Sequence, residues 1–241
     1  MTTTLGLLGT GRLGSAIRSA ADPRADVAIA WALGREGADQ LAAGSLSPVD
    51  VAVDVSGAGA VAGHLAWARG SGTPLVIGTT GWDPALVAGE RTVPVLVAPN
   101  FSLGVALLRR FAHALGGYAA AAPVGCDLAV TETHHRDKVD APSGTALTLR
   151  EALARGAGRP AQEVQTASLR LGAVVGEHDV VVSSALETIG LRHVAHSREL
   201  FATGALTAAR WLVGRPAGVH TLDDLAADLL GGGHPPRLDA A

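Results

Sequence analysis

A short apolar run that leads directly into a glycine-rich turn constrains the fold of this chain more than any other feature. Leu5–Gly9 has the character of a buried strand, and the residues from Gly9 follow the pattern GxGxxG and open a predicted helix at Leu13–Ala21. Glycines at these positions let the backbone turn sharply and approach a pyrophosphate, whose charge lies against the amides of a helix N-terminus. The pattern predicts a dinucleotide site formed by Gly9, Thr10, Gly11, Arg12, Leu13 and Gly14.

The first part of the chain continues as an alternation of apolar runs and helical patterns. Alternation of this kind is typical of an α/β fold, here a Rossmann-type doubly wound parallel sheet. Apolar residues make up 48% of the chain and charged residues 17%, as in an ordinary α/β protein. The further predicted elements are strands at Val27–Leu33, Val51–Val55, Leu75–Gly78 and Val93–Val97, and a helix at Ala58–Ala68.

The pattern changes near Phe101, and this change predicts a second domain. The stretch between Ser168 and His196 contains three predicted strands without helices between them, which indicates a mixed or antiparallel sheet and an α+β domain. We expect one domain at residues 1–102, completed by 205–241, and a second domain at 103–204. The other predicted elements are a strand at Leu128–Thr133 and helices at Leu103–Leu115, Gly144–Ala154, Ser197–Leu212 and Thr221–Leu230.

Three further turns are expected to complete the dinucleotide site. An acidic residue about twenty residues after the glycine-rich turn would bind the ribose of NAD, but this position holds Gly34, followed by Arg35 and Glu36. Arg35 is either a partner for a 2′-phosphate or a solvated loop charge. The first alternative favours NADPH, which we expect to be the preferred cofactor, whereas Glu36 leaves NADH open. Ligands bind outside the carboxyl ends of parallel strands, so two later turns should border the nicotinamide: Gly78, Thr79 and Thr80, and Ala98, Pro99, Asn100 and Phe101.

Charge and composition exclude several classes of function. The net charge is −3, and no basic run interleaved with aromatic residues is present, which argues against a nucleic-acid partner. We expect neither a signal peptide nor a membrane-spanning segment, because the N-terminal residues lack a charged region followed by a long apolar stretch. Cys126 is the only cysteine, so an intrachain disulfide is impossible and we expect a cytoplasmic protein with Cys126 in its core.

The block from His134 to Ala146 carries the strongest chemical signal. It combines two adjacent histidines, the only lysine of the chain, Lys138, and a Ser143-Gly144-Thr145 turn that opens a predicted helix. Lysine can donate a proton where arginine cannot, histidine titrates near neutrality, and a helix N-terminus suits a carboxylate. A metal site is disfavoured because no third ligand stands at ligand spacing, and a solvated charge cluster is the remaining alternative. The isolated histidines, His64 and His193 among them, are expected to be structural.

Together these motifs resemble the bacterial dihydrodipicolinate reductase (4-hydroxy-tetrahydrodipicolinate reductase) family over nearly the whole chain. The resemblance is carried by the glycine-rich turn, by GTTGW at Gly78–Trp82, by APNFSLGV at Ala98–Val105 and by HHxxKxDxPSGTA at His134–Ala146. Two later matches are Gly176-Glu177-His178, expected before a strand, and the segment Ser197–Leu212.

The resemblance implies a reductase of a cyclic imine dicarboxylate that acts in lysine and diaminopimelate biosynthesis. It implies that His134 is the proton donor and that Lys138 is a second acid that also binds the substrate. His135, Ser143, Gly144 and Thr145 would hold the substrate carboxylates, in a second domain that binds substrate and forms oligomers. The family is typically a homotetramer joined through the sheets of that domain.

Three departures from the family pattern bear on substrate and cofactor. Gly34 replaces an acidic residue, the Asp54–Gly57 turn lacks a proline, and the segment 146–175 is shorter than is usual. A reductase of a related cyclic imine, or an amino-acid dehydrogenase on the same scaffold, is therefore the second hypothesis. A third is an NADPH-binding regulator without catalysis, which the presence of both His134 and Lys138 disfavours.

Overall fold

The computed structural model describes residues 1–37, 40–41 and 46–231, which form two compact units. The first unit contains Met1–Ser102 and Glu199–Leu229, and the second contains Leu103–Arg198. The chain returns to the first unit at Glu199, earlier than the sequence-based bound at residue 205. Residues 232–241, which the sequence analysis placed in the first domain, lie outside the described residues. None of the helices in the described part of the chain is long and apolar enough to cross a membrane.

Strands and helices alternate through the first unit, whereas strands cluster in the second. The described α-helices are α1 (Arg12–Ala21), α2 (Val61–Ser71), α3 (Leu103–Ala121), α4 (Gly144–Gly156), α5 (Glu199–Leu212) and α6 (Leu222–Leu229). The strands are β1 (Thr3–Leu8), β2 (Val27–Leu33), β3 (Val51–Asp54), β4 (Leu75–Ile77), β5 (Pro94–Val97), β6 (Asp127–His134), β7 (Gln165–Arg170), β8 (Gly176–Ser183), β9 (Thr188–Ala195) and β10 (Gly218–Thr221).

The first unit is built on a six-stranded sheet in the order β10-β5-β4-β3-β1-β2. Every pairing in this sheet is parallel. All residues of β3 and β4 are buried, as expected for strands covered on both faces. The chain turns from one side of β1 to the other after β2, which creates a topological switch point at the carboxyl ends of β1 and β3. The predicted doubly wound parallel sheet is confirmed.

The sixth strand, β10, was missed by the sequence analysis. Gly218–Thr221 pairs in parallel with Pro94–Val97 and forms one edge of the sheet. The segment is short, begins with glycine and includes His220, so it lacks the apolar run that marks a central strand. Tertiary pairing with β5, rather than local sequence, defines this strand, and α6 begins only at Leu222.

The second unit is built on a four-stranded mixed sheet in the order β7-β6-β8-β9. β6 pairs in parallel with β7 and antiparallel with β8, which pairs antiparallel with β9. Along β8, buried and half-buried residues alternate, so one face of this sheet packs on a core and the other does not. The core face carries Leu128, Val130, Val180 and Val182. The predicted mixed sheet is confirmed.

Helices α3 and α4 cover that core face and touch each other through glycine. A Cβ atom on Gly116 would lie 2.2 Å from the carbonyl oxygen of Leu153, and one on Gly156 would lie 2.0 Å from that of His113. Any side chain at either of these two glycine positions would therefore push the helices apart. This contact explains why α3 continues to Ala121, beyond the predicted end at Leu115, through a Gly116-Gly117 pair that is poor for helix formation.

Candidate active site

The glycine-rich turn lies at the carboxyl end of β1, and its glycines meet three different demands. Gly9 has a φ of +118°, and a Cβ there would lie 2.5 Å from the carbonyl oxygen of Val55. A Cβ on Gly14 would lie 2.0 Å from the carbonyl oxygen of Gly9, so the turn can close only without side chains. A Cβ on Gly11, by contrast, would meet no protein atom within 4 Å. Gly11 therefore faces open space, where the backbone can approach a ligand.

The start of α1 suits an anion. Gly11 is the N-cap, so no capping side chain covers the first amides, and the first turn contains no acidic residue. The positive end of the helix dipole and these amides are therefore available to a phosphate. Arg12, exposed beside them, adds positive charge.

The carboxyl end of β2 lies against this turn. A Cβ on Gly34 would lie 2.9 Å from the Oγ1 atom of Thr10, so a larger side chain at this position would displace Thr10. Arg35, in the following 3-10 turn, is exposed. The side chain of Glu36 lies outside the described part of the structure. The position where NAD-binding folds carry a carboxylate is therefore occupied by a glycine, and the residue that follows it is an exposed cation.

A buried carboxylate organises the ends of β3 and β4. Asp54, fully buried, accepts hydrogen bonds from Ser56 Oγ at 2.6 Å and Thr79 Oγ1 at 2.8 Å, and its other oxygen contacts His64 Nδ1 at 2.7 Å. Burial by itself would raise the pKa of Asp54, but the hydrogen bonds from His64 and Ser56 lower it below its usual value. Thr79 is therefore held in place by a charge, and His64, expected from sequence to be merely structural, belongs to this network.

The ends of β4 and β5 meet through an aromatic side chain. A Cβ on Gly78 would lie 2.3 Å from Cε2 of Phe101, which is buried against it. Asn100 Oδ1 accepts from the amide of Ser102 at 2.8 Å, which fixes the turn after β5. The residues predicted from sequence as cofactor ligands thus lie at one edge of one sheet, at the ends of β1, β2, β4 and β5. Open space at Gly11 and uncovered helix amides fit a dinucleotide.

The second cluster lies in the second unit, where β6 leads into α4. His134 is the last residue of β6 and is buried, and His135 follows it, half-buried. Lys138 Nζ contacts both carboxylate oxygens of Asp140, at 2.7 and 2.9 Å. The lysine is therefore held by an ion pair with a partner that the sequence analysis had not assigned a role.

Ser143 begins α4 as its N-cap. Its Oγ accepts a hydrogen bond from the amide of Ala146 at 3.1 Å, the interaction that makes serine a favoured N-cap. Gly144 is exposed and Thr145 half-buried at the first turn. The ion pair with Lys138, and to a smaller degree the amide of Gly144, holds the pKa of Asp140 below its usual range. A carboxylate thus already lies between the ammonium group and the helix N-terminus.

Glu132 joins the two parts of this cluster and was not identified from the sequence. Its side chain is 0% exposed, and Oε2 contacts Nδ1 of His134. Oε1 accepts from Arg170 Nη2 at 2.9 Å and from the amide of Ser143 at 3.3 Å. Burial by itself would raise the pKa of Glu132, but hydrogen bonds from Arg170, Ser168 and His134 lower it to about 2.

His193, expected from sequence to be structural, lies beside His178, and His178 lies beside His134. His178 lies in β8 rather than before it, and its ring centroid lies 5.1 Å from that of His134 and 6.2 Å from that of His193. Burial, followed by the charges of His134 and His193, lowers the pKa of His178 to about 4, so this ring is neutral at neutral pH. Among the described residues, no group of three or more His, Cys, Asp or Glu side chains is arranged to hold a metal ion.

Alternation along strands is the signal that could have found these partners. Glu132 and His134 are two residues apart in β6 and so project from the same face of the sheet. Glu132 pairs in register with His178, and His134 with Arg170. The motif at His134–Ala146 begins after Glu132 and includes no residue of the neighbouring strands, so these partners lie outside it.

Family models match almost the entire chain. The model described as the N-terminus of dihydrodipicolinate reductase matches residues 3–101, and the model of its C-terminus matches residues 104–226. The boundary between these models falls where the chain passes from the first unit to the second.

Curated relatives and solved structures agree with these models. A 4-hydroxy-tetrahydrodipicolinate reductase from Acidiphilium cryptum is 39% identical over 92% of this chain and 96% of its own length, and one from Gluconobacter oxydans is 45% identical over 73% and 76%. A dipicolinate-bound dihydrodipicolinate reductase from a Paenisporosarcina species has the same fold, with a TM-score of 0.78, 20% identity and coverage of 93% of this chain and 100% of that one. The chain belongs to the dihydrodipicolinate reductase family.

Proposed function

We propose that this protein reduces 4-hydroxy-tetrahydrodipicolinate to tetrahydrodipicolinate with NAD(P)H, a step in lysine and diaminopimelate biosynthesis. Family membership and the names of the relatives support this activity. The observation that carries the proposal is the arrangement of His134–Thr145, where an ammonium group and a helix N-terminus flank the carboxylate of Asp140 and a buried imidazole lies at the end of the preceding strand.

Asp140 supports the binding of a dicarboxylate because its own carboxylate occupies the place that one substrate carboxylate would take. Its carboxylate pairs with Lys138 and lies near the amide of Gly144. A substrate carboxylate of the same chemistry would replace it on these donors, and Asp140, which is 56% exposed, can turn to solvent at little cost. His135, Ser143, Gly144 and Thr145 would bind the two substrate carboxylates, with Lys138 supplying the charge.

Proton supply is the chemical task of this site. Loss of water from the hydroxylated substrate gives a conjugated cyclic imine, and a bound reduced nicotinamide supplies the hydride that reduces it. Hydride addition leaves an electron pair on the substrate, and a proton from a general acid neutralises it. His134 would deliver this proton, and Lys138 would serve as a second acid and as electrostatic support.

The cofactor residues are proposed to be Gly9, Thr10, Gly11, Arg12, Leu13, Gly14, Gly34, Arg35, Gly78, Thr79, Thr80, Ala98, Pro99, Asn100 and Phe101. The open space at Gly11 and the uncovered first turn of α1 support binding of the pyrophosphate there. The exposed Arg35, in place of a carboxylate, supports a preference for NADPH over NADH.

A cytoplasmic homotetramer is proposed as the working form. Because Leu128 and Val130 face the core, strand alternation places Ala129 and Thr131 on the opposite face of the second unit's sheet. That face, which also carries the half-buried Val181, would form the contacts between subunits. Sedimentation equilibrium tests the assembly, and a monomer at micromolar concentration would contradict it.

One assay decides the reaction. The consumption of NADPH is followed with enzymatically generated 4-hydroxy-tetrahydrodipicolinate, beside a panel of other cyclic imines, and the dicarboxylate should give the highest kcat/KM. Preference for another imine would instead support the related-imine hypothesis that the short 146–175 segment suggested. Binding of NADPH without turnover of any imine would support the regulator hypothesis.

A further inference from the structure

Glu132 is a buried charge whose two oxygens serve different parts of the site. Oε2 contacts Nδ1 of His134, whereas Oε1 accepts from Arg170 and from the amide of Ser143. An arginine side chain can only donate hydrogen bonds, and the same is true of a backbone N–H group. Oε1 is therefore fixed as an acceptor, and the carboxylate cannot turn without losing both bonds.

We infer that Glu132 is a positioning residue for the proposed reduction: it holds the Nδ1–H of His134, so that Nε2 is the atom that exchanges the proton with substrate. The inference rests on the proposed function for the identity of the substrate, but the contact with His134 is independent of it.

The contact selects one tautomer of His134. A carboxylate accepts the Nδ1–H, so the neutral ring carries its proton on Nδ1 and has a free electron pair on Nε2. In the protonated ring, Nε2–H becomes the donor. Space beside Nε2 is preserved by Gly176, where a Cβ would lie 3.0 Å from this nitrogen.

Glu132 also stabilises the protonated form of the His134 ring. Burial lowers the pKa of His134, the positive charges of Lys138 and Arg170 lower it further, and the contact with Glu132 opposes all three. The neutral ring of His178, packed edge to face on His134, adds no positive charge at neutral pH. An acid in such surroundings needs a fixed negative charge beside it, and Glu132 provides one.

The same side chain couples the acid to the carboxylate-binding turn. The amide of Ser143 donates to Glu132 Oε1, and the hydroxyl of Ser143 caps α4. The position of His134 and the start of α4 are therefore set by one buried group. Arg170 reinforces this geometry, because its Nε atom also donates to the carbonyl of Lys138 at 3.1 Å.

The test compares wild type with Glu132→Gln by histidine side-chain nitrogen NMR across pH, with His134→Asn to assign the signal. Since Oε1 must stay an acceptor, the new amide group faces Nδ1 and donates to it. We expect the neutral His134 ring to carry its proton on Nε2 in this variant, and its titration to move to lower pH. In the assay, kcat should fall about 10²–10⁴-fold, the range for loss of a general acid, with a much smaller change in KM.

Two further variants separate positioning from folding. Glu90 is also a buried carboxylate that binds an arginine, Arg69 Nε at 2.8 Å, so Glu90→Gln measures the cost of losing such a group elsewhere and should leave His134 unchanged. Glu132→Asp keeps a carboxylate, so the neutral His134 ring should still carry its proton on Nδ1 in that variant. If Glu132→Gln fails to fold, this variant carries the test, and a neutral ring with its proton on Nε2 would overturn the inference.

Two results would overturn the inference: an unchanged tautomer and titration of His134 in Glu132→Gln, or the same change in Glu90→Gln. A wild-type protein that does not turn over the dicarboxylate, but whose His134 responds to Glu132→Gln as described, would refute the proposed substrate and leave the positioning role intact.

Discussion

Replacement of Lys138 separates its role in chemistry from its role in the fold. Its ion pair with Asp140 joins side chains that are 23% and 56% exposed, and a pair this accessible stabilises a protein by about 0–1 kcal/mol. Loss of a general acid lowers the rate about 10²–10⁴-fold, which is about 2.7–5.4 kcal/mol in the barrier at 1.36 kcal/mol per tenfold. Lys138→Met should therefore unfold at nearly the wild-type denaturant concentration and yet turn over at least about 10²-fold more slowly.

Lys138→Arg tests which property of the lysine is needed. A guanidinium keeps the charge and can pair with Asp140, but it does not give up a proton. We expect turnover of the arginine variant to stay close to that of Lys138→Met in steady-state assays of NADPH consumption. Arg24→Met is a matched control, because Arg24 forms a similarly exposed pair with Asp26 at 2.9 Å in the other unit. Turnover of Lys138→Arg near the wild-type rate would refute the role of Lys138 as an acid.

Three other predictions follow from the cofactor site, the substrate site and the buried histidine. Arg35→Ala should raise the dissociation constant for NADPH far more than that for NADH, measured by fluorescence titration. An equal loss of affinity for both cofactors would refute the proposed contact between Arg35 and the 2′-phosphate. Pyridine-2,6-dicarboxylate should bind competitively with substrate, and no binding even with NADPH present would contradict the dicarboxylate site. If bound NADPH increases the affinity for this analogue, the analogue must increase the affinity for NADPH by the same factor, which calorimetry measures. His178 has a folded pKa of about 4, below its ordinary 6.5, so the unfolded chain binds more protons between these values and the protein should lose stability as pH falls from 6.5 to 4. His178→Phe should lessen that loss in urea unfolding curves measured at several pH values, and an unchanged pH dependence would show that His178 does not cause it.

The parts of the fold that depend on local pattern were predictable, and those that depend on pairing were not. Each of the strands β1 to β5 contains an apolar run, and their positions agree with the sequence-based prediction to within a few residues. β10 could not be found, because a four-residue segment with glycine and histidine becomes a strand only beside β5. The full length of α3 was missed for a similar reason: its glycine pair lowers helix propensity but allows contact with α4.

The candidate site divides in the same way. The residues of the His134–Thr145 block are close in sequence and could be grouped by their chemistry alone. Arg170 and His178 come from other strands and reach the site only through the sheet register. A charge such as that of Glu132 is invisible to a motif search that asks for groups facing the ligand, because this side chain is fully buried.

Burial of His134 explains why such a hidden group is required. A proton donor that works on a hydride acceptor must be shielded from water, but the same shielding disfavours its charged form. The positive charge of Lys138, which a dianionic ligand needs nearby, disfavours that form further, and so does the charge of Arg170. A site that binds an anion with cations and also protonates it with histidine therefore needs a negative charge that the ligand cannot reach. Glu132 satisfies this condition, since Arg170 and the amide of Ser143 keep it ionised behind the imidazole.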